Sequence, residues 1–219
     1  MKIVDGENLQ PLSGERPRQI VVLLHGYGSN GADLISLAPA WRQKLPHALF
    51  LAPNAPQRCG LSGGYQWWAL NSFTPVALAA GAASASAAIN DFIDSKLDEH
   101  DLKERHLALV GFSQGTMMAL HVGLRRPTPV AAIVGYSGML TGSPELSRQI
   151  TARPPVLLVH GSADPVVPVA ALHAAKHDLE RLRVPVTAHV SPGVGHTVDP
   201  VGLRLGVEFL DSAFAEQEP

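Results

Sequence analysis

Short apolar runs alternate along the chain with longer segments in which apolar positions recur at helical spacing. Each run is four or five residues long, and a glycine or proline follows it within a residue or two. Most runs lack alternation of apolar and polar positions, which is typical of strands buried on both faces of a parallel sheet. The pattern predicts strands at residues 20–24, 48–51, 107–110, 130–134 and 156–159, with a more mixed run at 186–190 nearer an edge.

The segments between these runs predict helices. In residues 76–98, Ile89, Phe92, Ile93 and Leu97 form an amphipathic stripe. Strands that alternate with helices imply right-handed crossovers, and hence an α/β fold whose mostly parallel central sheet has helices on both faces. The other predicted helices cover residues 33–44, capped by Ser29 or Asn30, and residues 114–126, 169–183 and 202–215.

Composition and charge narrow the classes of protein. A length of 219 residues favours one domain over residues 1–219. The net charge of −2, without a basic run, argues against a nucleic-acid partner. The single cysteine, Cys59, excludes an intrachain disulfide and a multi-cysteine zinc site. Because no signal-peptide core and no stretch of about 18 uninterrupted apolar residues occurs, we expect no transmembrane segment. The expectation is a soluble, cytoplasmic protein, with a homodimer left open.

A candidate nucleophile lies where a predicted strand meets a predicted helix. Residues 111–115 read Gly-Phe-Ser-Gln-Gly, a G-x-S-x-G pattern in the strand-to-helix context that this pattern requires. A sharp turn there lifts the hydroxyl of Ser113 clear of the sheet. The helix N-terminus then supplies amide groups and a positive dipole end. The alternative is a chance match in a glycine-rich chain.

The candidate serine needs a base, and the base needs a carboxylate that holds its tautomer. His196 follows the last predicted strand, whereas the other nine histidines have simpler structural explanations. Asp164 follows another predicted strand, although an Asp-Pro turn is its commoner explanation. The chain order Ser113, Asp164, His196 is that of α/β hydrolases. Asp178, on a helix, and Asp199, in the same loop as His196, are weaker candidates for the acid.

The loop after the strand at 20–24 supplies the remaining part of a hydrolytic site. The backbone N–H groups of Tyr27 and Gln114 are candidate donors of an oxyanion hole. The same loop contains G-x-G-x-x-G at residues 26–31, which by itself indicates dinucleotide binding. That interpretation requires an acidic residue about 20 residues further on, and the next strand ends without one. No nicotinamide cofactor is therefore expected. No metal is expected either, since His173 and His177 are spaced like ligands but no glutamate lies between them.

Residues 54–74 fit neither the strand nor the helix pattern. They are rich in glycine, proline, serine and aromatic residues. A loop of this length is usually functional or disordered, and its aromatics argue against disorder. We predict that Trp67 and Trp68 wall a substrate-binding groove. The alternative is that both fill the core beneath the loop.

With these residues assembled, the chain resembles the phospholipase/carboxylesterase family of α/β hydrolases, which includes acyl-protein thioesterases and small bacterial carboxylesterases. The resemblance implies an α/β-hydrolase fold with a minimal cap, the triad Ser113, Asp164 and His196, and oxyanion donors at Tyr27 and Gln114. Family members usually have Gly where this chain has Thr116, and commonly Leu in place of Tyr27. The blocks that carry it lie between residues 23 and 198: LLHGYGSNGADL, FLAPNAPQ, YQWW, GFSQGTMMAL, VLLVHGSADPVVP and GVGHTV.

We therefore expect a serine hydrolase that cleaves carboxylic esters through an acyl-serine intermediate, without a cofactor or metal. Its substrate is a small-molecule or lipid-like ester, and thioesters and lysophospholipids are included. The alternatives are another α/β hydrolase such as a lactone hydrolase, a dehydrogenase, and a non-catalytic binding protein on the same fold. A non-catalytic relative would normally lose a triad member, and here all three candidates are present.

Overall fold

The computed structural model describes residues 2–60, 62–142 and 146–216 of the chain. Its strands, in chain order, are β1 (Val4–Leu9), β2 (Gln19–Leu24), β3 (Ala48–Asn54), β4 (Gln57–Arg58), β5 (Tyr65–Gln66), β6 (Leu107–Phe112), β7 (Ala132–Tyr136), β8 (Val156–Gly161) and β9 (Val186–Ser191). Its helices are α1 (Gly31–Ile35), α2 (Ala38–Trp41), α3 (Pro75–His100), α4 (Gln114–Gly123), α5 (Leu146–Gln149), α6 (Ala170–Arg181) and α7 (Pro200–Ala215), with a 3₁₀ turn at Glu104–His106.

Seven strands form one sheet in the order β1-β3-β2-β6-β7-β8-β9. The pairings from β3 across to β9 are all parallel, which confirms the predicted parallel sheet. The strand β1, which the apolar pattern does not predict, pairs antiparallel with β3 at the edge. Its residues are mostly exposed and polar, so it carries no apolar run that would reveal it.

Helices cover both faces of the sheet, as predicted. In β2, Ile20, Val22 and Leu24 point to a cluster formed with α3, α4 and α6, whereas Val21 and Leu23 point to one formed with α1, α2 and α7. All five side chains are completely buried. Burial on both faces is the reason that the strand reads as one continuous apolar run.

The predicted helix at residues 33–44 is two helices in the structure. The first ends at Ile35, and Pro39 lies in the first turn of the second, where a missing N–H is tolerated. Of the two candidate caps, Asn30 is the N-cap, because its side chain accepts from the Asp33 amide at 3.0 Å. The helix α4 also ends at Gly123, three residues before the predicted end.

The helix α3 passes a length and hydropathy test for a membrane span. The expectation of no such segment rested on the absence of an uninterrupted apolar run, which is a stricter criterion. One side of α3, which includes Leu78, Ile89, Ile93 and Leu97, is buried in the core. Because core helices pass the same test, the helix is weak evidence for a membrane segment.

Residues 54–74 contain a short hairpin, β4–β5, that packs on the loop after β2. The amide of Gly28 donates to the carbonyl of Tyr65 at 2.8 Å, and the amide of Tyr65 donates to the carbonyl of Ser29 at 2.7 Å. At Gly64 a Cβ would lie 2.3 Å from the Gly28 oxygen, so this approach requires glycine. The hairpin thus supports the loop that carries Tyr27.

Candidate active site

The backbone of Ser113 is held in a conformation that L-residues rarely adopt. Ser113 follows β6, precedes α4 and has φ 54° and ψ −114°. The turn is possible because its flanking residues lack side chains. A Cβ at Gly115 would lie 1.7 Å from the Leu24 oxygen, and one at Gly111 would lie 2.3 Å from the Gly115 oxygen. The G-x-S-x-G pattern therefore occurs at a strained strand-to-helix turn, not as a chance match.

The side chains of His196 and Asp164 meet at the same edge of the sheet. Nδ1 of His196 lies 2.7 Å from Oδ2 of Asp164, whose side chain is completely buried. The two loops are joined, because the amide of Ala163 donates to the carbonyl of Val194 at 2.9 Å. The ring of Phe112, next to the serine, lies 4.8 Å from the His196 ring between centroids. The three candidate triad residues thus lie at the same edge of the sheet.

The carboxylate of Asp164 stays ionised although it is buried. Burial by itself raises the pKa of Asp164, but hydrogen bonds from His196 and from two backbone amides outweigh it, so that this pKa lies below its usual value. The amides of Val166 and Val167 donate to Oδ1 at 2.8 and 2.9 Å. The ionised carboxylate can therefore hold a proton on Nδ1 of His196 and leave Nε2 free to act as a base.

A second buried histidine borders the same carboxylate. Nε2 of His160 donates to the carbonyl of Val167 at 2.8 Å and lies 3.3 Å from Oδ2 of Asp164. In the sequence, His160 is one of the nine histidines that have a simpler structural explanation, since it lies at a strand end before a glycine. Its nearness to Asp164 depends on how the 161–167 loop folds back, which no spacing in the sequence shows.

The loop after β2 leaves the amide of Tyr27 available. Within residues 2–60, 62–142 and 146–216, neither the Tyr27 nor the Gln114 amide donates a hydrogen bond. Nδ1 of His25 donates to the carbonyl of Gly26 at 2.7 Å, while its Nε2 accepts from the amide of Ala55 at 3.0 Å. Burial lowers the pKa of His25, so the ring is neutral and this tautomer is fixed. Because a trans peptide points its N–H away from its carbonyl, the Gly26 contact also orients the Tyr27 N–H.

The side chain of Gln114 joins the nucleophile helix to the aromatic segment. Its Oε1 accepts from the amide of Trp67 at 3.0 Å, and its Nε2 donates to the carbonyl of Trp68 at 2.9 Å. The residue is 1% exposed. Nε1 of Trp67 in turn donates to the carbonyl of His25 at 2.9 Å. No pattern in the sequence indicates these side-chain contacts, which tie the two candidate oxyanion donors to one segment.

The two tryptophans are in the core and do not stand on an open surface. Trp67 is 0% exposed and Trp68 is 5% exposed, and both belong to the main hydrophobic cluster. A Cβ at Gly81 would lie 2.3 Å from the Trp68 ring, so α3 packs directly on it. This burial favours the core alternative over the predicted wall of a substrate groove.

Of the weaker candidates for the acid, Asp199 has a structural role and Asp178 lies on the surface. Asp199 caps α7 by accepting from the Gly202 amide at 3.1 Å, and it accepts from the Ser191 hydroxyl at 3.0 Å. Asp178 is exposed on α6. The glycines of the dinucleotide-like pattern serve the loop itself. Gly28 has φ 76°, and a Cβ at Gly31 would lie 1.9 Å from the Ala52 oxygen.

Comparisons with known proteins find relatives that match most of the chain. Residues 12–213 match the model of the Phospholipase/Carboxylesterase family. The chain is 30% identical to acyl-protein thioesterase 1 of Mycosarcoma maydis, over 95% of this chain and 97% of that one. It is 24% identical to esterase YpfH of Escherichia coli strain K12, over 90% and 84%. The crystal structure of esterase PE8 superposes with a TM-score of 0.92 at 41% identity, over 97% of this chain and all of the other.

Proposed function

We propose that Ser113, His196 and Asp164 are the catalytic triad of this chain, which belongs to the phospholipase/carboxylesterase family and is a serine hydrolase that cleaves carboxylic esters. The observation that carries this proposal is the 2.7 Å contact between His196 and a buried, ionised Asp164, at the sheet edge where Ser113 occupies a strained turn. Each of the three follows a different parallel strand, β6, β8 or β9, whose carboxyl ends meet at that edge.

Acylation begins when the oxygen of Ser113 attacks the acyl carbonyl carbon and Nε2 of His196 takes the hydroxyl proton. The carbonyl oxygen becomes an oxyanion, which accepts hydrogen bonds from the amides of Tyr27 and Gln114. The carbon–oxygen or carbon–sulfur bond to the leaving group then breaks, and His196 gives its proton to that alcohol or thiol. The products are an acyl-serine and the free leaving group.

Deacylation repeats the same steps with water. Nε2 of His196 takes a proton from a water molecule, whose oxygen attacks the acyl carbon of Ser113. The second oxyanion occupies the same two amides. Its collapse releases the carboxylic acid, and the proton on His196 returns to the oxygen of Ser113. Throughout, the carboxylate of Asp164 stabilises the imidazolium that forms twice in each cycle.

The substrate that we propose is a small-molecule or lipid-like ester or thioester. One relative is named a thioesterase and two others are named esterases, so both leaving groups are represented among similar proteins. Two partly buried apolar residues, Met139 and Leu140, follow the strand next to β6 and pack on the main core cluster. Gly138, which precedes them, approaches the carbonyl of Ser113. They are therefore candidates for contact with an acyl chain.

The test combines covalent labelling with a substrate panel. A fluorophosphonate should label the wild-type protein at Ser113, located by peptide mass spectrometry, and Ser113→Ala should lose both labelling and hydrolysis. Ser84→Ala, which removes an exposed hydroxyl on α3, should keep both. The panel contains p-nitrophenyl esters of increasing chain length, an acyl thioester and a lactone. Labelling that persists in Ser113→Ala would show that the nucleophile lies elsewhere, and lactone turnover without ester turnover would favour a lactone hydrolase.

A further inference from the structure

The side chain of Thr116 connects the nucleophile turn to the neighbouring strand. Thr116 is the third residue of α4, one helical turn after the serine, and it is 1% exposed. Its hydroxyl oxygen lies 2.8 Å from the carbonyl oxygen of Gly111 in β6 and 2.8 Å from that of Tyr136 in β7. The hydroxyl therefore shares its one proton between the ends of two strands.

The Tyr136 carbonyl is also the anchor of the serine backbone. The amide of Ser113 donates to it at 2.9 Å, and the amide of Thr116 donates back to the carbonyl of Ser113 at 3.0 Å. These contacts form a closed ring: Ser113 to Tyr136, Tyr136 to Thr116 and Thr116 to Ser113. A backbone with φ 54° at a residue other than glycine persists only where its surroundings fix it from several sides. The hydrogen bond from the Thr116 hydroxyl to the Tyr136 carbonyl is one of the contacts that fix it.

The carbon atoms of the same side chain fill a space that two glycines create. A Cβ at Gly138 would lie 2.4 Å from Cβ of Thr116, and one at Gly135 would lie 2.6 Å from its Cγ2. The same added Cβ at Gly138 would also lie 2.8 Å from the carbonyl oxygen of Ser113. Packing on one side and hydrogen bonds on the other thus hold Thr116 in a single orientation. Helix propensity does not account for threonine here, since β-branched residues are poor helix formers.

We propose that Thr116 is a positioning residue, whose hydroxyl holds the Ser113 backbone against β7 so that the serine oxygen is presented in the attacking geometry. This inference rests on the proposed function, because it concerns the placement of the same nucleophile. Gly135 in β7 and Gly138 after it leave the space that the side chain of Thr116 occupies.

Two matched pairs of proteins isolate the effect of the Thr116 hydroxyl. Wild type and Thr116→Val differ chiefly in a hydroxyl against a methyl group, and Thr116→Ser and Thr116→Ala differ only in the hydroxyl. The rate of fluorophosphonate labelling and the separate values of kcat and KM on a p-nitrophenyl ester are measured for all four. Thr151→Val is the control, because it removes a threonine hydroxyl that donates to the Arg126 carbonyl at 2.8 Å. That contact lies beyond the C-terminal end of α4, and this end is about 15 Å along the helix from the turn at Ser113.

We expect the two proteins without the hydroxyl to lose about tenfold or more in kcat and in labelling rate, with KM little changed. A displacement of about 1 Å at a reacting atom can cost about 10²-fold. Thr116→Ser should keep most of the rate, and Thr151→Val should keep all of it. If Thr116→Val does not fold, the Ser and Ala pair carries the same comparison.

Equal kcat in both pairs, with Ser113 labelled in each protein, would overturn the role of Thr116 and leave the proposed function intact. A loss that Thr151→Val shares, or that appears only as a lower melting temperature, would overturn it as well. Absence of labelling at Ser113 in the wild-type protein would instead overturn the proposed function, and this inference with it.

Discussion

The two oxygens of Asp164 bind different parts of the site, and only Oδ2 faces His196. Oδ1 accepts from the amides of Val166 and Val167, and Oδ2 accepts from Nδ1 of His196 at 2.7 Å. An amide side chain cannot satisfy both. If its oxygen stays on the two backbone amides, its NH₂ group faces Nδ1, and the histidine must turn to the tautomer that carries its proton on Nε2.

Asp164→Asn should therefore lower kcat by up to about 10⁴-fold, because Nε2 of His196 can no longer accept the serine proton. Steady-state kinetics on a p-nitrophenyl ester measure the loss. Asp199→Asn and Asp178→Asn are the controls and should stay near wild type, since an asparagine oxygen can still cap α7 and Asp178 is exposed. A large loss at Asp199 with retention at Asp164 would reverse the choice of acid.

Substitutions at residue 27 distinguish the role of the Tyr27 amide in the oxyanion hole from the role of its side chain. The phenol of Tyr27 forms a hydrogen bond with the side chain of Cys59. This hydrogen bond is the main cause that raises the pKa of Tyr27, and burial is the second. Tyr27→Phe and Tyr27→Leu keep the amide, so kcat should stay within a few-fold. Tyr27→Pro removes the donor, and loss of one such donor costs about 10²–10³ in kcat, or roughly 3–4 kcal/mol.

Circular dichroism and fluorophosphonate labelling must first show that Tyr27→Pro keeps its fold and an accessible Ser113. Complete loss of activity in Tyr27→Phe would mean that the hydroxyl acts directly on the substrate, and that the hole is not built from two amides.

Trp67→Ala should mainly lower stability. The side chain is fully buried and donates to the His25 carbonyl, and truncation of a buried tryptophan costs about 3–5 kcal/mol. For a chain of this size that corresponds to a fall in melting temperature of at least ~6 °C. Phe73→Ala removes an aromatic ring of the same segment that is 71% exposed, and should change the melting temperature little. A shifted chain-length preference in Trp67→Ala at unchanged melting temperature would restore the groove interpretation.

Stability should fall as the pH is lowered from about 6.5 to about 4, and His121 should be a principal cause. Burial, and secondarily the charge of Arg125, lowers the pKa of His121 from 6.5 to about 4. Over that interval the unfolded chain binds a proton that the folded chain does not, which is worth on the order of 3 kcal/mol. His121→Leu should flatten the dependence, measured as the free energy of unfolding in urea at several pH values.

His177→Leu, which removes an exposed histidine from α6, should leave that slope unchanged. Burial also lowers the pKa values of His25 and His106, so part of the slope should remain in His121→Leu. An identical slope in His121→Leu and in the wild-type protein would contradict the assignment to His121.

Local patterns in the sequence were sufficient for the parallel strands of the sheet and indicated the three candidate triad positions. A strand buried on both faces must be apolar throughout, so the continuous apolar runs in the sequence predict β2, β6 and β8. Parallel strands bring their carboxyl ends to one edge, and residues 113, 164 and 196, each just after a strand, were therefore predicted to meet. The edge strand β1 gave no such signal, because exposed antiparallel residues need not be apolar.

The sequence by itself determined the candidate residues for the chemistry, because chemical type and position after a strand are local properties. Only the tertiary structure decided how they are held. The contacts of His25 with Ala55, of Gln114 with Trp67 and of Thr116 with Tyr136 join segments 20 to 47 residues apart. No periodicity encodes such contacts, since they depend on how the loops pack once the sheet is complete. For the same reason the tryptophans, which the composition of their loop placed at a groove, lie in the core.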